Sequence, residues 1–336
     1  MVKEGKEASY WKKLGDNVQC QLCPHFCLLK NEEYGKCYAR KNINGKLISL
    51  VYGKPCSYAI DPIEKKPLYH FYPGKKVLSI ATAGCNLACG FCQNFEISQC
   101  KADNVKTPNI SAKEIVKDTK NKKLEMIAYT YTEPTIFYEY MLDIAKQAKK
   151  MSIKNITVTN GFINEKPLKE LCKYLDASNI DLKSINPEFY KNVCSGILEP
   201  IQNSIKIMKE EGTWIEITNL IIPGLNDSIE DINKLSEWIV KNVGKDVPVH
   251  FSAFHPTYKI LKLPPTSIET LRRARRIAMS KGINYVYTGN INDEGCYTYC
   301  PKCKEILIKR KYNEVIENKI INGKCWKCKN IIAGYW

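Results

Sequence analysis

The apolar positions from residue 77 to residue 287 fall into short continuous runs that alternate with amphipathic stretches. A continuous apolar run of about four to eight residues is typical of a buried strand, whereas apolar residues spaced three and four apart indicate a helix. Six runs are predicted strands: residues 77–83, 126–131, 156–160, 177–182, 214–222 and 247–254. The predicted helices cover residues 135–150, 166–174, 200–211, 229–242 and 267–281, with one more beginning at Ser111. Glu114 stands three residues after Ser111, which is the spacing of a capping box.

Strands that alternate with helices predict a parallel sheet joined by right-handed crossovers. In barrels of this kind the chemistry lies at the carboxyl ends of the strands. The sequence therefore predicts an α/β fold in which the residues just after each strand share one functional surface.

The segments on either side of this region have a different pattern. Residues 60–74 are rich in prolines and aromatic residues, which predicts an ordered crossing that leads to the first barrel strand rather than a continuous helix. The alternation at residues 47–53 predicts a short strand before it. We divide the chain into a cysteine-rich N-terminal extension, a barrel and a C-terminal zinc-ribbon-like module, at residues 1–74, 75–290 and 291–336.

Composition limits the class of protein. The chain has 336 residues, 44% of them hydrophobic, and its apolar runs are too short to span a bilayer. Its first residues lack the apolar core of a signal peptide, so we expect a cytoplasmic protein without a membrane segment.

The formal charge is +16, from 51 Lys and Arg against 35 Asp and Glu. This excess fits either a lysine-rich solvated surface or an acidic partner, such as a nucleic acid or an acidic protein.

Cysteine usage changes the interpretation most. The chain has 16 cysteines, and groups of four, three and four stand close together in the sequence. In a protein expected inside the cell, such grouping favours metal binding over disulfides. So many thiols beside an exposed metal cluster suggest an anaerobic cell.

The central group lies in one short loop directly after the first predicted strand and consists of Cys85, Cys89 and Cys92. A [4Fe–4S] cluster normally takes four thiolates, so three leave one iron open to a small-molecule ligand. Gly84 and Gly90 allow the backbone to wrap closely around the cluster. Phe91 offers an apolar face beside the open iron. A zinc site or an accidental group of cysteines would not require this combination.

The spacing C-x3-C-x2-C, with an aromatic residue before the third cysteine, resembles the signature of the radical S-adenosylmethionine (SAM) enzymes. The resemblance implies a partial (β/α)6 barrel, in agreement with the six predicted strands. It also implies a [4Fe–4S] cluster whose open iron binds SAM. In that superfamily an electron from the cluster cleaves SAM into methionine and a 5′-deoxyadenosyl radical, which abstracts a hydrogen atom.

Two strand ends carry acidic residues that the resemblance places near SAM. Glu133 follows strand two, where the superfamily usually has a Gly-Gly-Glu-Pro-like motif, but here Tyr131 and Thr132 replace the glycines. A helix-start acid is the alternative for Glu133. Asp181 and Lys183 share a face at the end of strand four. They resemble the Asp-x-Lys of pyruvate formate-lyase activating enzymes, and a surface ion pair is the alternative.

Other residues near the strand ends are weaker candidates. Asn160 after strand three could contact SAM or simply form an Asn-Gly turn, and Ile222 after strand five suits a contact to adenine. On strand six, either His250 or His255 could face the substrate or cofactor, although a single histidine is often structural. Cys194 could act near the barrel mouth or be an inert buried thiol.

The two outer cysteine groups are predicted metal sites. The N-terminal group consists of Cys20, Cys23, Cys27 and Cys37. Zinc is the first interpretation there and an auxiliary iron–sulfur cluster is the second, because thiolates bind both, and reduced structural thiols are the remaining alternative. The C-terminal group consists of Cys300, Cys303, Cys325 and Cys328. Its two C-x2-C knuckles, separated by strand-like residues, are typical of a zinc ribbon, with an iron site as the alternative.

The order of these modules along nearly the whole chain resembles the radical SAM member of the AmmeMemoRadiSam system, a relative of the glycyl-radical-enzyme activases. The residues that carry this resemblance are the N-terminal knuckle, residues 61–68, Cys92-Gln93-Asn94, residues 131–134, the C-terminal knuckle pair and the final Trp336. The resemblance implies Memo-like and Ammecr-like partners and an electron donor such as ferredoxin or flavodoxin. We expect hydrogen abstraction from a protein or peptide. An RNA-modifying enzyme and a non-catalytic metal-binding module are the alternatives.

Overall fold

The computed structural model of the chain describes residues 5–336. The predicted N-terminal extension starts at residue 1, so its first four residues lie outside this range. The strands are β1 (Lys6–Glu7), β2 (Trp11–Leu14), β3 (Asn17–Cys20), β4 (Leu28–Leu29), β5 (Arg40–Ile43), β6 (Lys46–Ser49), β7 (Ser57–Pro62), β8 (Lys76–Ala81), β9 (Met126–Tyr129), β10 (Lys154–Thr159), β11 (Ala177–Asp181), β12 (Trp214–Ile221), β13 (Val249–Ala253), β14 (Val286–Gly289), β15 (Thr298–Tyr299), β16 (Ile306–Lys311), β17 (Glu314–Asn318), β18 (Ile320–Ile321) and β19 (Lys324–Cys325). The α-helices are α1 (Phe95–Ser98), α2 (Ala112–Asn121), α3 (Tyr138–Lys150), α4 (Glu165–Cys172), α5 (Pro187–Phe189), α6 (Leu198–Glu210), α7 (Ile229–Asn242) and α8 (Ile268–Ser280).

The largest sheet runs in the order β14-β13-β12-β11-β10-β9-β8-β7. Strands β8 to β14 pair in parallel, whereas β7 is antiparallel to β8. Helices connect the parallel strands, and most residues of those strands are buried, as a sheet covered on both faces requires. This arrangement confirms the predicted α/β fold with a parallel sheet. The six predicted strands correspond to β8 to β13.

Two strands of this sheet were not predicted. β7 comes from a segment interpreted as part of a crossing, and its alternating burial with a terminal Pro62 suits an edge strand. β14 is four residues long and ends at Gly289, so its apolar run is short. In the described chain, β14 extends the parallel set from six strands to seven.

The start of α2 confirms the predicted capping box. The Ser111 hydroxyl accepts a hydrogen bond from the Glu114 amide, and the Glu114 carboxylate accepts one from the Ser111 amide. Among the helices of the described chain, none combines the length and the apolar character that crossing a bilayer requires.

A buried ion pair joins the N-terminal segment to the barrel. Nη2 of Arg40, on β5, lies 2.7 and 2.8 Å from the two carboxylate oxygens of Glu139, on α3. The Glu139 carboxylate also accepts a hydrogen bond from the Ser9 amide at 2.7 Å. Both charged side chains are at most 3% exposed, so each depends on the other for its hydrogen bonds.

A second buried network lies inside the barrel, around Glu216 on β12. Its carboxylate accepts hydrogen bonds from the His70 amide at 2.8 Å and from His250 Nε2 at 2.7 Å. The His70 ring donates from Nδ1 to the Ala333 carbonyl and accepts at Nε2 from the Tyr287 hydroxyl. These contacts connect β12, β13 and β14 to the C-terminal segment.

The neutral His70 ring predicts a specific pH dependence of stability. Burial lowers the pKa of His70 from 6.5 to about 4. Below pH 6.5 the unfolded chain binds a proton that the folded chain excludes, so stability falls as the pH falls towards about 4. The free energy of unfolding should drop by about 3 kcal/mol over this window. Urea unfolding at several pH values measures it.

The matched control for this prediction is the exposed His255. His70→Gln should lower stability at neutral pH and remove most of the slope below pH 6.5, whereas His255→Gln should keep the slope. An unchanged slope in the His70→Gln protein would show that other groups cause the pH dependence.

Candidate functional site

A cavity of about 200 Å³ opens at the carboxyl ends of the parallel strands. It is lined by the three central cysteines and by residues at the ends of β10, β11 and β12. Residues distant in sequence meet here because parallel strands end at the same edge of a sheet. The predicted residues that line it are Cys85, Phe91, Cys89, Cys92, Asn160, Asp181 and Lys183.

The loop that carries the three cysteines is held by backbone contacts. Gly84 has a φ of +101°, and a Cβ atom at this position would lie 2.3 Å from the carbonyl oxygen of Cys37. The Ala88 and Gly90 amides each donate a 2.9 Å hydrogen bond to carbonyls of residues 193–194. The loop is therefore fixed against both the N-terminal segment and the turn after β11.

The spacing of the central thiols suits a polynuclear cluster better than one ion. Among the described residues, the C-terminal quartet alone brings three or more possible ligand atoms within 4.8 Å of one another. The cysteines of the central group line the same cavity, but their three sulfur atoms do not all lie within 4.8 Å of one another. Separate irons of a cluster require such spacing. Burial raises the pKa of Cys85 and of Cys92, so metal binding there must displace protons.

Asn160 lies beside the cysteine loop. Its Nδ2 donates to Oδ1 of Asn86 at 2.9 Å and is 3.8 Å from Sγ of Cys85. Its Oδ1 accepts from the Phe162 amide at 2.8 Å. Both ends of the Asn160 amide are thus oriented, which places its NH₂ group at the edge of the cavity.

Asp181 and Lys183 form an ion pair at the end of β11. Lys183 Nζ lies 2.8 Å from the Asp181 carboxylate and 5.7 Å from the centre of the Phe91 ring. Burial alone would lower the pKa of Lys183, but the Asp181 charge and nearby thiols together raise it well above its usual range. A positively charged and a negatively charged side chain therefore lie side by side near the cysteines. Such a pair could bind a ligand that carries both an amino group and a carboxylate.

The C-terminal quartet forms a compact site in a small all-β module. Cys300 and Cys328 sulfurs lie 3.6 Å apart, and those of Cys303 and Cys325 lie 3.7 Å apart. Four thiolates at the vertices of a zinc tetrahedron would lie about 3.8 Å apart, given a Zn–S bond of about 2.3 Å. The geometry is compatible with the predicted zinc-ribbon-like module.

Comparison with known proteins assigns the chain to a family. The Radical SAM superfamily matches residues 79–239. The chain is 46% identical over 319 residues to the uncharacterized protein MJ0808 of Methanocaldococcus jannaschii, and the match covers 94% of each chain. The chain belongs to the radical SAM superfamily. Its C-terminal and N-terminal cysteine groups lie outside the matched residues.

More distant radical SAM relatives include activating enzymes. The pyruvate formate-lyase-activating enzyme of Clostridium pasteurianum is 24% identical over 178 residues, which is 51% of this chain and 72% of that protein. Streptococcus suis SuiB bound to S-adenosylmethionine superposes with a TM-score of 0.51 at 16% identity, covering 67% of this chain and 55% of that one. At that identity the structural likeness shows the fold alone.

Glu133, a predicted contact to SAM, is not among the residues that line the cavity. Its carboxylate is fully buried and accepts four hydrogen bonds, from the amide and hydroxyl of Thr135, the hydroxyl of Thr159 and the amide of Asn160. Burial raises the pKa of Glu133, and these hydrogen bonds partly offset the effect. Glu133 therefore ties the end of β9 to the end of β10 and positions Asn160.

Two other predicted contacts also lie elsewhere. His250 is buried against Glu216 inside the barrel, so its position indicates a structural role. Ile222 is buried beyond the end of β12, where its amide donates to Oδ1 of Asn226. Leu220 and Thr218, two and four residues earlier on the same strand, line the cavity instead. Ile222 does not line the cavity, because β12 ends at Ile221 and the chain turns there.

Tyr131 is a cavity residue whose role the sequence did not indicate. It has a φ of +67°, a left-handed conformation that glycine adopts most easily, at the position where related motifs carry glycine. Its hydroxyl donates to Asp61 at 2.6 Å, and Lys66 Nζ lies 4.6 Å from the centre of its ring. The buried pair of Asp61 and Lys66 thus holds the Tyr131 ring at the cavity wall.

The remaining cysteine candidate, Cys194, is fully buried at the end of a π-helical turn over Tyr190–Cys194. Its thiol contributes most to the lowered pKa of Cys89, with which it shares a hydrogen bond. Cys194 does not line the cavity, and its contact with Cys89 indicates that it stabilises the cysteine loop from behind.

Glu133 yields a testable prediction on stability. Glu133→Gln replaces an oxygen that accepts hydrogen bonds with an NH₂ group, which leaves buried donors such as the Asn160 amide without a partner. The free energy of unfolding should fall by about 2 kcal/mol, as measured by urea unfolding. Glu165→Gln, at an exposed carboxylate that pairs with Lys169, is the matched control and should change stability little. Equal effects of the two substitutions would contradict the positioning role.

Proposed function

We propose that this chain cleaves SAM reductively at a [4Fe–4S] cluster bound by the three central cysteines. The observation that carries the proposal is one cavity that combines three cysteine thiols with a partly buried ion pair at the strand ends. When bound, the cluster and SAM supply an electron and a 5′-deoxyadenosyl radical that abstracts hydrogen from a substrate. The protein supplies the thiolate ligands, Cys85, Cys89 and Cys92.

The polar residues of the cavity match the charges of SAM. The Lys183 ammonium suits the methionyl carboxylate, and the Asp181 carboxylate suits the amino group. The apolar surfaces of Phe91 and Leu220 suit the adenosyl part. Asn160, fixed by Glu133, adds an NH₂ donor at the edge. The arrangement holds an amphipathic ligand in one orientation, which is how a protein directs a reactive group.

The substrate class that we favour is a protein or peptide. The support is the similarity to activating enzymes, among them the 4-hydroxyphenylacetate decarboxylase activating enzyme of Clostridium scatologenes, which is 26% identical over 119 residues. Memo-like and Ammecr-like proteins are proposed partners on the resemblance of the whole chain, and a ferredoxin or flavodoxin is the proposed electron donor. An RNA substrate is the second candidate, because the formal charge is +16.

Reductive cleavage of SAM is directly measurable. After anaerobic reconstitution with iron, sulfide and dithionite, the protein should form 5′-deoxyadenosine from SAM, quantified by chromatography and mass spectrometry. Cys85→Ala, Cys89→Ala and Cys92→Ala should each abolish this product, because each removes a ligand of the cluster.

The control for SAM cleavage is Cys100→Ala. Cys100 is partly exposed, donates to the Ile97 carbonyl and lies outside the cavity, so its loss should leave product formation unchanged. Undiminished cleavage by the three ligand variants would refute the proposed function.

Salt dependence distinguishes the two substrate classes. Binding of RNA through lysines should weaken steeply as salt rises, because each phosphate contact releases counterions. We expect a protein substrate, so RNA binding should be weak and non-specific, and a protein or peptide that co-purifies anaerobically should change mass when SAM is supplied. Tight, salt-sensitive RNA binding together with SAM-dependent modification of that RNA would favour the second candidate.

We also propose that the C-terminal quartet binds structural zinc. Cys303→Ala should remove about one zinc per chain and lower the unfolding temperature, as measured by elemental analysis and calorimetry, because four thiolates close a structural site. Cys296→Ala is the matched control, since Cys296 is buried in the same module but is not in the quartet. Zinc content that survives Cys303→Ala would contradict this assignment.

A further inference from the structure

The four N-terminal cysteines converge although they come from separate segments. Cys20 ends β3, Cys23 and Cys27 lie in the turn before β4, and Cys37 lies in the loop before β5. All four line one small cavity with Arg40 and Asn86. A Cβ atom at Gly35 would lie 3.7 Å from the sulfur of Cys37 and 3.9 Å from that of Cys27, so Gly35 lies directly beside two of the thiols.

These four thiols differ in spacing from the C-terminal quartet. The C-terminal sulfurs approach to 3.6 and 3.7 Å, as one tetrahedral ion requires. Among the described residues no other set, the N-terminal quartet included, brings three ligand atoms within 4.8 Å of one another. Any three sulfurs of the N-terminal quartet, like the three central ones, therefore include a pair more than 4.8 Å apart. Its geometry therefore fits a polynuclear cluster better than a single zinc ion.

Arg40 supplies an independent indication of a bound anionic group. The residue is 1% exposed and lines the N-terminal thiol cavity. Its Nη2 donates to Glu139 and its Nη1 donates to the Ser9 carbonyl, but its buried Nε has no hydrogen-bond partner. A buried donor without a partner costs roughly 1–3 kcal/mol. A thiolate or sulfide of a cluster in this cavity would accept from it.

The N-terminal thiol cavity is in direct contact with the central cysteine loop. Asn86, the residue after Cys85, lines the N-terminal cavity, and its carbonyl accepts a 2.7 Å hydrogen bond from His25 Nε2. The Cys37 carbonyl packs against Gly84, the residue before Cys85. Cys37, a thiol of the N-terminal cavity, therefore contacts the residue next to Cys85, a thiol of the central loop.

We propose that the N-terminal quartet holds a second [4Fe–4S] cluster that passes electrons to the cluster on the central loop. A low-potential one-electron donor, an iron–sulfur protein or a flavin hydroquinone protein, would reduce the N-terminal cluster by one electron and be oxidised. The N-terminal cluster would then be reoxidised as the central cluster gains that electron. The cluster assignment stands on its own, whereas the relay role rests on the proposed function.

Metal content tests the cluster. After anaerobic reconstitution, the triple variant Cys85→Ala, Cys89→Ala and Cys92→Ala should retain about four irons per chain. Dithionite reduction should then give the electron paramagnetic resonance signal of a reduced [4Fe–4S] cluster. The pair Cys20→Ala and Cys23→Ala should retain about four irons on the central loop instead. Zinc in place of iron in the triple variant would overturn the assignment.

The choice of reductant tests the relay. Reduced flavodoxin and dithionite are compared as donors for 5′-deoxyadenosine formation. The variant with Cys20→Ala and Cys23→Ala should lose about tenfold or more of the flavodoxin-driven rate and keep the dithionite-driven rate. Cys100→Ala should keep both. Equal loss with both donors, or no loss with either, would contradict a relay.

The two proposals fail in different ways. If the unaltered protein forms no 5′-deoxyadenosine with either donor, the proposed function and the relay that rests on it are wrong, and the iron content of the triple variant still decides the cluster. If the variants fold poorly, the iron and zinc content of the unaltered protein provides the test instead. About eight irons and one zinc per chain in that protein would support the second cluster, and about four irons and two zincs would refute it.

Discussion

A buried carboxylate is costly unless donors surround it, and two such carboxylates organise this barrel. Glu133 accepts four hydrogen bonds at the carboxyl ends of β9 and β10. Glu216 accepts from His70, His250 and the Tyr69 amide inside the sheet. The first fixes the strand ends that form the cavity. The second fixes the barrel against the C-terminal segment, so site and module depend on the same kind of interaction.

Much of the fold and part of the cavity follow from local pattern. Continuous apolar runs predicted β8 to β13, and the two-residue period of a strand correctly put Asp181 and Lys183 on one face. The cysteine loop was evident because its ligands lie within eight residues of each other in sequence. β7 and β14 were missed because a short or half-exposed strand carries little apolar signal.

Some predicted site residues lie outside the cavity, and their surroundings come from distant parts of the chain. Glu133 follows a strand end as a SAM contact would, but its carboxylate is buried and accepts hydrogen bonds from Thr135, Thr159 and Asn160. His250 is of a residue type common in functional sites, but its ring is paired with Glu216, which lies 34 residues earlier in the chain. Sequence position shows which surface a residue can reach. Whether the residue is already paired there depends on tertiary contacts.

The two outer cysteine groups show the same limit in metal chemistry. Both contain a C-x2-C knuckle, and thiolates bind zinc and iron alike, so spacing in sequence left the metal open. In the C-terminal group, each pair of close sulfurs joins the two knuckles and forms a compact set. In the N-terminal group, Cys23 and Cys27 share the turn after β3 and only Cys37 comes from another loop, and any three of these sulfurs include a pair more than 4.8 Å apart. The two groups thus have the same ligand type, and the spacing of their sulfur atoms differs because the surrounding strands and loops place the cysteines differently.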